Sequence, residues 1–171
     1  TDPLALQAIE MVLAYLPASY NKNMEAREQM HYAQCLAGMA FSNALLGIVH
    51  SMAHPLSAFY DIPHGVACAI LLAPVLTFNA PATGERYREV ARAMGVAGVD
   101  DMSQEEYRQA AIAACQKLAD DVGIPRKLSE LGVQEKDIDF LADSAMADAC
   151  TPGNPRDVEK SQIVDLYKSI L

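Results

Sequence analysis

Three of the four histidines in this 171-residue chain fall within fifteen residues, in the run Gly47-Ile-Val-His50-Ser-Met-Ala-His54-Pro-Leu-Ser-Ala-Phe-Tyr-Asp-Ile-Pro-His64-Gly65. Imidazole is the commonest metal ligand among side chains and the one that exchanges protons near neutral pH. His50 and His54 stand four residues apart, so a continuous helix puts both on one face, about 5–6 Å apart at Cβ. That spacing suits a shared ligand or a shared metal. His64 sits at the mouth of the following helix, and the intervening turn can bring it back towards His50, so that two imidazoles from adjacent helix ends meet.

Other chemistries are poorly supported. HxxxH lacks the glutamate of a zinc protease, because Ser51 stands in its place. No cysteine is spaced to complete a tetrahedral zinc site, and the nearest carboxylate in sequence, Asp61, reads equally well as a loop residue facing water. His31, one turn before Cys35, reads as a packing or surface residue. With no GxGxxG, P-loop or GxSxG, the chain carries neither a nucleotide fold nor a hydrolase elbow of its own, and a cofactor would be bound mainly by something else.

The elements that position these residues read as helices. Asp2 and Pro3 form an N-cap and first-turn pair, and Leu4, Ala8, Met11 and Tyr15 recur at helical spacing to about Leu16, before Pro17. From Met24 to Ile48 the apolar positions keep a 3.6-residue period for roughly seven turns, weakest at Gly38 and Gly47. Pro55 and Pro63 bracket a turn-bearing connection, after which Pro63-His64-Gly65 opens an apolar helix through Phe78. Further helices are expected at Gly84 to Met94, at Gln104 to Val122 behind the capping box Ser103-x-x-Glu106, at Glu135 to Ala149, and at Val158 to Ile170 capped by Asp157. Pro125 to Gly132 has room for one short turn. No stretch alternates apolar and polar residues long enough for a strand, so the expected fold is an all-α bundle of about seven or eight helices.

Composition agrees. The chain has 28 Ala and 17 Leu against 11 Val, 9 Ile and 4 Thr, which favours helix over sheet. Hydrophobic residues make up 51%, enough for a core. A net charge of −9 with no basic run argues against nucleic acid or an anionic membrane as partner. The longest apolar stretch, Gly65 to Phe78, is about 14 residues and contains Pro74, too short and interrupted for a membrane span. The four cysteines, Cys35, Cys68, Cys115 and Cys150, form no CxxC and read as reduced thiols of a cytoplasmic protein. The opening Thr1-Asp2-Pro3 enters a helical pattern at once, as though at the cut edge of something larger.

The segments Ala37-Gly-Met-Ala-Phe41-Ser-Asn43-Ala44, Gly47 to Leu56, Ile62-Pro-His64-Gly65-Val-Ala, Asn79 and Asp148-Ala-Cys150-Thr-Pro-Gly-Asn154-Pro-Arg156 together resemble the C-terminal helical domain of the iron-dependent (group III) alcohol dehydrogenases, the dehydroquinate synthase-like helical domain. The resemblance spans residues 1–171. It implies a primary alcohol or aldehyde as substrate and a divalent metal, Fe²⁺ with Zn²⁺ as the other candidate, held by an Asp and three His, of which two match His50 and His64. It places His54 beside the nicotinamide, as a proton relay or cofactor contact rather than a ligand, and Phe41 and Cys150 in the alcohol pocket. The family's other two ligands form an Asp-x-x-x-His pair that this chain lacks, since Leu6 lies four residues after Asp2. Its NAD(P)-binding α/β domain lies upstream and is likewise absent, so the fragment alone is expected to be inactive, with its metal site empty or partly filled. In the intact enzyme, a homo-oligomer, the resemblance implies that the metal acts as a Lewis acid on the alcohol oxygen while hydride passes to the nicotinamide. A zinc-using glycerol dehydrogenase type and a non-catalytic helical assembly module are the alternative readings.

Overall fold

A sequence rich in alanine and leucine and poor in β-branched residues gives helices alone. The computed structural model describes residues 1–171 as eight α-helices with short 3₁₀ turns and no strand. In chain order they are α1 (Asp2–Tyr20), α2 (Met24–Ala44), α3 (Ile48–Tyr60), α4 (His64–Asn79), α5 (Arg86–Ala93), α6 (Gln104–Asp121), α7 (Ile138–Met146) and α8 (Lys160–Ser169). The chain divides into two compact units, one of residues 1–45 and 83–122, the other of residues 46–82 and 123–171.

The first unit packs α1 against α2 and α5 against α6. Its buried positions are mostly alanines, Ala8, Ala26, Ala33, Ala40, Ala91 and Ala111 among them, which let helices approach closely. Tyr87 and Tyr107 are the large exceptions; Tyr107 is fully buried, with the Arg88 guanidinium 5.1 Å from its ring centroid. The capping box forms as read, with Ser103 accepting from the Glu106 N–H and Glu106 accepting from the Ser103 N–H at 2.7 Å.

The second unit has a bulkier core. Ile48, Met52 and Leu56 of α3, Leu71 and Val75 of α4, Ile138 and Leu141 of α7, and Ile163 and Tyr167 of α8 bury one another, with Leu128 from a 3₁₀ turn. The Tyr167 hydroxyl donates to the Met52 carbonyl at 2.7 Å, tying α8 to α3 through a buried hydrogen bond.

Several boundaries differ from the sequence expectation, each for a local reason. α1 runs through Pro17 to Tyr20, because the lost N–H costs one bond while the Pro17 carbonyl accepts from both the Asn21 N–H and its side-chain amide. Thr1, not Asp2, is its N-cap. The long period from Met24 breaks at Ala44, where Leu45 takes a positive φ of 68°, and Gly47 starts a new helix. Pro55 lies inside α3, buried, and the actual turn is Asp61 to Pro63, entered through Asp61 at φ 57°. The helix expected from Glu135 begins with a 3₁₀ turn and ends at Met146. The last helix is capped by Glu159 paired with Gln162 rather than by Asp157.

The apolar helix is also longer than expected. With its 3₁₀ extension, His64–Ala82 reaches 19 residues at a mean hydropathy of 1.7, enough by length and composition to cross a membrane. In the fold it is a core helix, with Ala67, Ile70, Leu71, Ala73 and Val75 packed inside the second unit.

Tyr167→Phe removes the buried bond to the Met52 carbonyl, which keeps its place in the α3 ladder, and is expected to cost about 0.5–1.5 kcal/mol. Urea denaturation followed by circular dichroism measures the loss.

Candidate functional site

The three histidines read from the sequence meet in the second unit. His50 lies in the first turn of α3, His54 one turn on, and His64 is the first residue of α4. Their ring centroids are 5.5 Å apart for His50 and His64, 5.4 Å for His54 and His64, and 6.3 Å for His50 and His54. The His54 and His64 rings are nearly parallel, at 18°. Helical side chains lean towards the N-terminus of their own helix, which lets His64 reach back over α3.

Such a cluster disfavours positive charge. The His50 imidazole sits below its ordinary pKa, first because it is partly buried and then because His64 and His54 face it; Asp148 opposes the shift more weakly. A neutral ring offers the lone pair that a metal ligand needs.

His54 is held from a third direction. Its Nδ1 lies 2.7 Å from Oδ2 of Asp148, which follows α7. Burial raises the Asp148 pKa, but hydrogen bonds from His54 and from the Cys150 N–H, 2.8 Å from Oδ1, outweigh it and hold the carboxyl below its ordinary value. An ionised carboxylate only accepts, so Nδ1 carries the hydrogen and, in the neutral ring, Nε2 presents a lone pair.

Neither Asp148 nor Cys68 was picked out as a site residue by sequence reasoning. Asp148 stands 94 residues from His54, and no local spacing links them. Cys68 could have been found: it follows His64 by four residues, one helical turn, and its Sγ lies 3.5 Å from His64 Nε2. The structure thus places a cysteine beside His64, where the sequence reading saw none spaced for a tetrahedral zinc site. One potential ligand atom each from His50, His64 and Cys68 lies within 4.8 Å of the others, and the same holds for His54, Asp148 and Cys150. Burial pushes the Cys68 thiol up to about 11. Cys150 is raised too, by burial and then by Asp148. All four cysteines are free thiols. Asp61 serves as the left-handed cap of α3. Phe41 lies on α2 in the first unit, 45% exposed.

The start of α3 is locked to a distant loop. Asn154 and Asn79 form a reciprocal amide pair at 2.8 and 2.9 Å, and Asn154 also accepts from the Ile48 N–H and donates to the Arg156 carbonyl. Arg156 in turn donates to the Phe78 carbonyl and lies over the Phe78 ring. Gly47 has an ordinary extended backbone, but a Cβ there would come within 2.9 Å of the Asn154 side-chain oxygen and 3.3 Å of its Cα. Close approach, not backbone freedom, requires glycine here.

Residues 1–171 match the profile of the Fe-containing alcohol dehydrogenase family, C-terminal part. The chain is 52% identical over 167 residues to a lactaldehyde reductase of Escherichia coli (strain K12), covering 98% of this chain and 44% of that protein. It is 46% identical to an NADPH-dependent butanol dehydrogenase of Clostridium saccharobutylicum, covering 99% and 44%. The crystal structure of a 1,3-propanediol oxidoreductase superposes with a TM-score of 0.96 at 40% identity, covering 99% of this chain and 45% of that one. The chain thus spans less than half the length of these relatives.

Asn154→Ala strands the Asn79 amide, 7% exposed, and is expected to cost about 1–3 kcal/mol. The double variant with Asn79→Ala should lose less than the sum of the singles in urea melts. Because His50 is lowered in the fold, its contribution to stability is complete above its unfolded value of 6.5 and is lost as pH falls through the folded value. Metal-free protein carrying His50→Gln should therefore show a flatter decline in stability from pH 7 to pH 5 than the parent, read by thermal melts.

Proposed function

The chain belongs to the Fe-containing alcohol dehydrogenase family, to whose C-terminal part all its residues correspond, and from that premise we propose that it is the metal- and substrate-binding domain of an enzyme that moves hydride between a primary alcohol or aldehyde and NAD(P). The convergence of His50, His54 and His64, with His54 anchored on Asp148, carries this reading.

The donor chemistry fits a divalent metal. His50 and His64 come from two helix starts with rings 5.5 Å apart, and burial lowers the His50 pKa, which favours the neutral ring. They would hold Fe²⁺ or Zn²⁺, with further ligands from outside this chain, and the ion would supply a Lewis acid for the substrate oxygen. His54 acts on the proton side of the reaction. Asp148 fixes its Nδ1–H, which aims Nε2 as the atom that takes or returns a proton. Cys150, tied to the same carboxylate through its N–H, lines the alcohol pocket. Phe41 is assigned to that pocket by the family resemblance alone.

NAD(P) is held mainly by an N-terminal α/β dinucleotide-binding domain outside residues 1–171, consistent with the 44% of the relatives' length that this chain spans. By itself the chain is then inactive. The four free thiols support a cytoplasmic setting, and the complete enzyme is taken to be a homo-oligomer that acts on small alcohols and aldehydes.

In the full-length enzyme, His50→Ala and His64→Ala are expected to reduce bound metal, by elemental analysis, together with alcohol-dependent NADH or NADPH formation. His54→Ala should keep the metal and lower kcat by roughly 10²–10⁴. Unchanged metal content and turnover in all three variants would overturn the reading.

A further inference from the structure

We propose that Asn154 is a positioning residue of the metal site: it caps the first turn of α3 from 106 residues away and so holds the His50 imidazole where an ion needs it. The inference rests on the metal reading of His50 and adds to it the group that keeps that ligand in place.

The first turn of α3 has no side-chain cap of its own. Gly47 is the N-cap and offers nothing to accept the N–H groups left open at a helix start. Asn154 supplies the acceptor instead, its Oδ1 receiving the Ile48 N–H at 3.4 Å. The same oxygen accepts from Asn79 Nδ2 at 2.9 Å, while Asn154 Nδ2 donates to Asn79 Oδ1 at 2.8 Å and to the Arg156 carbonyl at 2.7 Å. Two accepted and two donated bonds are all that an amide side chain can make, so its oxygen is fixed towards α3.

The His50 backbone hangs from the same turn. Its N–H donates to the Gly47 carbonyl at 3.1 Å, and the Ser51 N–H donates to that oxygen at 3.3 Å. Asn154 is also seated against Gly47, where an added Cβ would meet Asn154 Oδ1 at 2.9 Å and Asn154 Cα at 3.3 Å. The residue whose carbonyl receives the His50 N–H is therefore held by packing, and the residue after it by a hydrogen bond. A ligand must be kept within about 0.5 Å and 10–20° of its working geometry, a standard that a fraying helix end does not meet. A remote amide that stiffens this turn thus acts on metal affinity without touching the ion.

Two substitutions remove the cap by opposite means: Asn154→Ala deletes the acceptor, and Gly47→Ala keeps it but pushes it off the turn. Ile163→Val, which trims the core of the same unit in α8, is the control for lost stability alone. The full-length enzyme is stripped of metal and titrated with Zn²⁺ against a chromophoric chelator, and each metal-free variant is unfolded in urea. The expected result is a Zn²⁺ affinity about 10-fold weaker in each of Asn154→Ala and Gly47→Ala, with a change under ~2-fold in Ile163→Val. The double variant should bind no more weakly than the worse single, since both act through one contact. Circular dichroism establishes that each variant is folded, and Gly47→Ala carries the test if Asn154→Ala does not fold. Parent-like affinity in the cap variants, losses that multiply in the double variant, or an equal loss in Ile163→Val makes Asn154 a structural residue only and overturns the proposal, leaving the histidine site standing. Zn²⁺ affinity that does not fall in His50→Ala overturns the metal reading beneath it.

Discussion

The second unit is organised by the enforced closeness of three imidazoles. Rings with centroids 5.4 to 6.3 Å apart could not all be protonated without mutual repulsion, since like charges at that range in a partly buried corner repel by more than thermal energy. The fold accepts the loss of that charge and gains a set of lone pairs with a shared direction. The lowered basicity of His50 is the visible sign of this arrangement, and the ionised Asp148 is its counterpart, placed behind His54 where it orients one ring without neutralising the cluster.

Holding the rings there requires rigid helix starts. His50 and His64 both lie in first turns, where a helix is most prone to fray. For α3 the fraying is opposed from outside: Asn154 accepts from the Ile48 N–H, pairs with Asn79 and packs so near Gly47 that no side chain fits between them. Thr151, in the same loop, hydrogen bonds to Ser51 at 2.8 Å and to the Ala145 carbonyl at 2.6 Å. The loop of residues 148–156 therefore orients His54 through Asp148 and steadies the backbone that carries His50. Beneath it, α7 and α8 supply the bulky residues against which α3 packs.

What could be read in advance follows the range of the interaction. The all-helical class, the capping box at Ser103 and the His50, His54 and His64 grouping were legible because each is fixed by residues within a few turns of one another. Helix ends were less so. Pro17 and Pro55 looked like breakers, yet α1 and α3 both continue past them, each without one hydrogen bond of its ladder. Conversely, nothing in the apolar period announced the break at Leu45, where a non-glycine residue adopts positive φ. Asp148 could not be paired with His54 from sequence because their meeting depends on how α7 packs against α3. Cys68 was within reach, since residues four apart on a helix share a face and it follows His64 by one turn.

The 94 residues between His54 and Asp148 also set an order of events during synthesis. At ribosomal rates of about 5–20 residues per second, the histidines leave the exit tunnel some ~5–20 s before the carboxylate that orients one of them. For that interval α3 and α4 lack the α7 and α8 side chains that complete their core, and the nascent imidazoles and the Cys68 thiol stand together without the loop that later confines them. Until then the 16-residue helix α4 carries its apolar side chains without the partners from α7 and α8 that later cover them.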